Sequence, residues 1–485
     1  MEEKEVLDTA EEKAEEKKEE KSKGQLLREQ LFFEQKDAYK ALTPELRAQA
    51  MEFCKPYAKF LDSAKTEREA VKEGIKLAEA HGFKPYTLGQ PVKAGDKYYI
   101  NNRGKSLHVF VIGSESMENG VRISAAHIDS PRLDLKQHPV YEDCGFCYLK
   151  THYYGGIKKY QWLTIPLALH GTICRADGTT VDVCIGEDDD DPQFYITDIL
   201  PHLSRDQNGK PIAGAIDPEN LNAIVAASPF DDEKVDQKVK LQFLALLNER
   251  YNVTEADLMS AELTLVPAFK ARDIGLDRAM LASYGHDDRV CAYPMLMATL
   301  ECENPVHTVY SIFADKEETG SDGPTGMKGD LLIDVLAELS RATGADPYVV
   351  RSHSMCLSAD VNAAYDPLYA GAYESRNSSF ANKGVVITKF TGHGGKSSTN
   401  DASAEYVGYI HNLMNKNGVL FQTGELGRID VGGGGTVAMY ISQHNIDTID
   451  IGVAVLSMHA PYELISKFDV FETYRCVKAF NTAED

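Results

Sequence analysis

The sequence is short of positive charge: 51 Lys and Arg stand against 74 Asp and Glu in 485 residues, a formal net charge of -23. Binding along a phosphate backbone needs a basic face. The chain has no basic patch, so nucleic acid is excluded as a main partner, and the acidic surplus serves solubility. Long apolar runs are missing too. No stretch approaches the roughly 18 residues of a membrane span. The opening MEEKEVLDTAEEKAEEKKEEK has neither the apolar core nor the cleavage site of a signal peptide. These absences predict a cytoplasmic chain without membrane contact. The nine cysteines are scattered, and their odd number favours free thiols over a disulfide framework. Cys144 and Cys147 have CxxC spacing. No second CxxC or His pair completes a zinc site there, so the pair reads as structural. No repeat of fixed period stands out.

The chain is too long for one simple core, which implies two or three domains or one large α/β domain with an insertion. Residues 1–24 are a Glu/Lys/Ala low-complexity segment, a solvated helix or tail. From Gln25 to about Glu79 apolar residues recur three and four apart, as in LLREQLFFEQ and AVKEGIKLAEAHG. Gly82 suits a helix C-terminus. KYYINNRGKSLHVFVIG then reads as a hairpin, and VRISAAHIDSP as a buried strand running into a polar loop. Residues 133–270 carry short β-type runs such as WLTIPLALHGTIC and TVDVCIG, and read as an inserted domain. It interrupts a domain built from 25–132 and 271–485. There the strands VHTVYSIFAD and NKGVVITKFTG alternate with helices. That alternation predicts an α/β fold with a mixed, largely parallel sheet.

Five polar clusters fall at strand ends or in the loops after them, where open α/β sheets build their active sites. AAHIDSP holds His127 and Asp129, either a metal ligand with a carboxylate that fixes its tautomer or a plain His–Asp pair. GHDDRV holds Asp287 and Asp288. Adjacent carboxylates repel unless a cation or hydrogen bonds neutralise them, so one reads as a metal bridge and the other as a helix cap, or both as ordinary capping residues. FADKEETGS delivers Glu317 and Glu318 from an apolar strand, one suited to a metal and one to a water. Asp360 ends a short apolar stretch. His459 follows IDIGVAVLSM, as a ligand or as a structural histidine. Taken together the donors suit a hydrolase with two divalent metal ions, zinc first, with cobalt or manganese compatible. The run VGGGGTVA lacks P-loop or dinucleotide-binding spacing, and reads as a close backbone approach near the site.

AAHIDSPRLDLK, GHDDRVCAY, DKEETGS, SADVNAAYDP and SMHAPYE, in this order, resemble the M18 metallopeptidases, the aspartyl aminopeptidase and vacuolar aminopeptidase I family. The similarity runs over roughly residues 25–480. The resemblance implies a zinc-peptidase-like catalytic domain interrupted by a β-rich dimerisation domain. It also implies homo-oligomers, commonly dodecamers built from dimers, acting on peptides. By motif, His127, Asp287 and Asp360 would hold one ion, and Asp287, Glu318 and His459 the other. Glu317 would be the general base. His170, in IPLALHG, would reach a neighbouring subunit's site and steady the oxyanion. Where acid-preferring members have a histidine-rich stretch this chain has VNAAYDP, which leaves the preferred N-terminal residue open. Lys396, in GHGGKSSTND, is placed either at a pocket for acidic side chains or in a solvated loop. A related binuclear deacylase and a non-catalytic assembly protein are the competing readings.

Overall fold

The computed structural model describes residues 21–484. Most of the low-complexity 1–24 segment therefore lies outside the described residues. Residues 21–36 belong to a separate unit. It holds the helix Lys23–Leu31, started by a capping box in which Ser22 and Gln25 satisfy each other's backbone N–H groups. The helix stops before Phe32, which is extended, so the helical pattern expected over LLREQLFFEQ ends early.

The larger unit begins at Asp37. Its central layer is a nine-stranded sheet. Four neighbouring strands matter for function: Val309–Ala314, Arg122–His127, Met355–Ala359 and Asp447–Gly452. All four run parallel. The first three are buried at every position apart from the half-buried Met355. Such strands read as near-continuous apolar runs because helices cover both faces. Each fully buried Val, Ile, Leu or Phe adds roughly 1.5–3 kcal/mol. On either side of these four strands antiparallel pairings follow, as in the hairpin Lys97–Asn102 to Ser106–Val111, and the outermost pair at each edge is parallel again, so the sheet is mixed and mostly parallel. The helix Glu67–Ala80 starts at a Thr66–Glu69 capping box and is followed by Gly82 at φ +84°, the left-handed geometry that ends helices.

Between these segments, residues 132–267 build a six-stranded sheet whose neighbours are all antiparallel. It has its own apolar cluster around Trp162, Leu167, Leu263 and Phe243 of the helix Lys238–Tyr251. A third, five-stranded sheet includes Met280–Ser283, Ala454–Leu456 and Glu463–Ser466. No disulfide forms among the described residues; Cys144 is exposed and Cys147 buried, both as free thiols. None of the described helices is long and apolar enough to cross a membrane.

Candidate metal centre

Because the four central strands are parallel, their C-terminal ends share one edge. His127 is the last residue of its strand. Asp360 follows Ala359 directly, and the turn Glu317–Thr319 follows Ala314. The chain leaving Gly452 passes through Ala454–Leu456 to His459, whose backbone is left-handed at φ +65°. Asp287 and Asp288 open the helix His286–Leu300 with non-helical angles, joined by a cis peptide bond. Six side chains thus converge from distant segments.

Asp287 is the hub. Its Oδ1 lies 3.1 Å from His127 Nε2, and its Oδ2 lies 3.1 Å from His459 Nε2. On the first side Asp360 Oδ1 is 3.7 Å from His127 Nε2. On the second Glu318 Oε1 is 3.6 Å from His459 Nε2. The donor atoms of His127, Asp287 and Asp360 lie within 4.8 Å of one another, and so do those of Asp287, Glu318 and His459. Glu317 stands beside the first set, its Oε2 4.0 Å from His127 Nε2.

The surroundings aim these groups. His127 Nδ1 donates to the backbone carbonyl of Asp129 at 3.0 Å, with the Asp129 carboxylate at 3.4 Å. His459 Nδ1 donates to Gly156 O at 2.8 Å. Both rings therefore turn Nε2 toward Asp287, the orientation that outer hydrogen bonds impose on metal-binding histidines. Asp129 does more than the expected tautomer control. Its oxygens accept the backbone N–H groups of Glu317 and Glu318, 3.2 Å each, and the Tyr154 hydroxyl at 2.6 Å.

Glu463 stands out among the residues that sequence reasoning missed. It is buried and accepts the backbone N–H of Asp287 at 3.0 Å and of His459 at 2.6 Å. Ser130 donates to Asp287 O at 2.6 Å. Gly155 and Gly156 press on the ligands: a Cβ on the first would meet Glu318 Oε2 at 2.9 Å, and on the second His459 Nδ1 at 3.3 Å. The only signal for Glu463 was its place at the end of SMHAPYE. Asp288, the expected helix cap, makes no cap bond: both of its oxygens are buried without a hydrogen-bond partner among the described residues. Gly433, Gly434 and Gly435, from the run VGGGGTVA, line the same cavity as Asp287, Glu317 and His459, a space of about 330 Å³.

The electrostatics describe a site short of cations. Burial pushes the Glu317 and Glu463 carboxyls up to about 8 and holds Glu318 well above its ordinary range. Burial opposes protonation of His459, yet the hydrogen bond to Asp287 and the charge of Glu318 hold it at about 10. His127 is likewise raised, against burial, by Asp129, Asp287 and Asp360. Crowded carboxylates in a buried site need positive charge. Among the described residues Glu318 Oε1 is buried without a hydrogen-bond partner. Imidazole and carboxylate donors around one shared carboxylate fit a pair of divalent ions.

His170 and Lys396 are not part of this gathering. His170 is buried in the strand Leu167–Cys174, with Nδ1 2.7 Å from Glu69 and Nε2 3.1 Å from Glu187. Within this chain both ring nitrogens face carboxylates. Lys396 pairs with Asp401 at 2.9 Å and lies 3.8 Å from the Phe390 ring centroid, so its charge is already met and it does not line the cavity.

Comparison with known proteins places this geometry. The family model described as aminopeptidase I zinc metalloprotease (M18) matches residues 60–481. A probable M18 family aminopeptidase 1 from Clostridium acetobutylicum is 48% identical over 432 residues, which are 87% of this chain and 93% of that one. The solved structure of an M18 aminopeptidase from Thermotoga maritima is similar with a TM-score of 0.88 at 40% identity, covering 93% of this chain and 99% of its own. The mApe1 dodecamer of S. cerevisiae shares the fold, with a TM-score of 0.73 at 23% identity over 90% of this chain and 97% of that one.

Proposed function

The chain belongs to the M18 family of aminopeptidase I zinc metalloproteases and is a metalloaminopeptidase, and we propose that it removes single residues from free peptide N-termini with two divalent ions bridged by Asp287. The observation that carries this reading is the division of one carboxylate between two histidines: Oδ1 toward His127 and Oδ2 toward His459, each at 3.1 Å.

His127, Asp287 and Asp360 would hold one ion, and Asp287, Glu318 and His459 the other. When bound, such ions polarise a scissile carbonyl and bring the pKa of water toward neutrality. Zinc is the family's metal, and cobalt or manganese suits the same donors. Glu317 is the general base. It accepts the proton of the attacking water at its carboxylate and returns it to the leaving amine. Asp129 holds the Glu317 and Glu318 backbone in place for this. Glu463 holds the Asp287 and His459 backbone, so both ligands keep their aim. The acidic cavity takes the substrate's α-ammonium group, which restricts cleavage to the first residue. His170 and Lys396 are assigned no role in this reaction.

We also place the dimer contact on residues 133–270, inserted between the catalytic segments 25–132 and 271–485. The dodecamer formed by the S. cerevisiae protein supports a homo-oligomeric assembly of this chain, which in this reading is built from dimers. The cytoplasm is its assigned compartment.

A panel of chromogenic aminoacyl substrates and their N-acetylated counterparts tests the reading. Free-amine substrates should be cleaved, acetylated ones refused, and a chelator should stop turnover until zinc, cobalt or manganese is returned. Preference for the acetylated set would identify a deacylase instead. A metal-loaded preparation inert toward the whole panel would identify a non-catalytic assembly protein.

A further inference from the structure

Away from the Asp287 cavity, a second set of metal-type donors has no part in the reaction above. Glu69, His170 and Cys184 offer a carboxylate oxygen, a ring nitrogen and a sulfur that all lie within 4.8 Å of one another. Glu69 comes from the first turn of the helix Glu67–Ala80, while His170 and Cys184 are cross-strand partners on Leu167–Cys174 and Thr180–Ile185. The carboxylate is fixed in advance. Its Oε2 accepts the backbone N–H groups of Lys65 and Thr66 at 3.0 Å each, which leaves Oε1 toward His170 at 2.7 Å. His170 is buried and Cys184 is exposed, so the group opens to solvent on its sulfur side. The nearby cations are committed elsewhere: Lys65 and Lys270 pair with Glu187 at 2.7 and 2.6 Å.

We propose that Glu69, His170 and Cys184 form a peripheral divalent-metal site, separate from the Asp287 centre and selective for zinc-like ions. Thiolate, imidazole and carboxylate are all zinc ligands, and three of them leave a fourth position for water. The sulfur disfavours magnesium and calcium, which take oxygen donors. The exchange balances in charge. With both ring nitrogens facing carboxylates, His170 donates from both and is an imidazolium. As the dication enters, one imidazolium proton and the Cys184 thiol proton leave to solvent. The ion ties the helix Glu67–Ala80 to the edge of the six-stranded sheet.

Cobalt titration of the full-length protein, stripped of metal, tests this. The Asp287 centre contains no cysteine, so a thiolate-to-cobalt charge-transfer band in the near ultraviolet reports the peripheral site alone. The band should appear in the parent protein and in Cys144→Ser and Cys174→Ser, and vanish in Cys184→Ser. Glu69→Gln keeps an oxygen for the Lys65 and Thr66 N–H groups and should weaken cobalt binding at least about tenfold. Zinc should also shield Cys184 from alkylation. Absence of the band, its survival in Cys184→Ser, or unchanged affinity in Glu69→Gln would each overturn the proposal. Loss of hydrolysis with the band intact would instead count against the aminopeptidase mechanism.

Discussion

Gly452 stands so close to Asp360 that a Cβ added to it would lie 1.7 Å from the Asp360 carbonyl oxygen. Neighbouring Ile451 accepts the Asp360 N–H at 2.9 Å. Only glycine lets the strand Asp447–Gly452 approach the start of the Asp360 loop this closely. Gly452→Ala should push the Asp360 backbone outward and weaken the ion shared with His127 about 10–100-fold, the usual loss when the support of a ligand is disturbed. Competition with a chelator measures this; unchanged affinity would mean that Asp360 does not bind the ion.

Glu317→Gln keeps the shape of the side chain and the backbone N–H held by Asp129. It removes the proton acceptor. Turnover should fall about 10²–10⁴-fold, with metal content unchanged by elemental analysis. Activity near the parent level would remove Glu317 from its role.

Asp287 and Asp360 should differ in how many ions they control. Asp287 faces both histidines, whereas Asp360 lies on the His127 side. Asp287→Ala should empty both positions, and Asp360→Ala should spare the ion beside Glu318 and His459. Equal metal loss in the two variants would contradict a bridging Asp287.

His108 gives a pH dependence outside the site. It is buried between strands, its Nδ1 2.9 Å from the Tyr310 hydroxyl, and burial depresses it from 6.5 to about 4. Between those values the unfolded chain binds a proton that the folded chain does not. Stability therefore falls as pH drops through this window, by about 2 kcal/mol from pH 7 to pH 5. Urea unfolding at the two pH values should show that loss in the parent and a smaller one in His108→Gln. Equal losses would show that His108 does not titrate there.

The site was legible where a polar residue ends an apolar strand. His127, Glu317, Glu318, Asp360 and His459 each follow such a run, and parallel pairing puts those ends on one edge. Asp287 was legible as half of a carboxylate pair that needed a cation. The supports were not legible. Glu463 acts on Asp287 from 176 residues away and Gly156 on His459 from 303, and no local pattern marks an acceptor of someone else's N–H. His170 ends an apolar run as His127 does, but its partner Glu69 lies 101 residues away, so the two histidines look alike until the fold separates them. Lys396 shows its charge in sequence, but not the Asp401 that meets it. Strand–helix alternation predicts a largely parallel sheet; its three antiparallel pairings depend on neighbours that alternation does not encode.

Anomalous diffraction from zinc-loaded crystals tests the central claim most directly. Two peaks flanking the Asp287 carboxylate, one beside His127 and Asp360 and one beside Glu318 and His459, are the expected result. A single peak, or two peaks that Asp287 does not join, would contradict it.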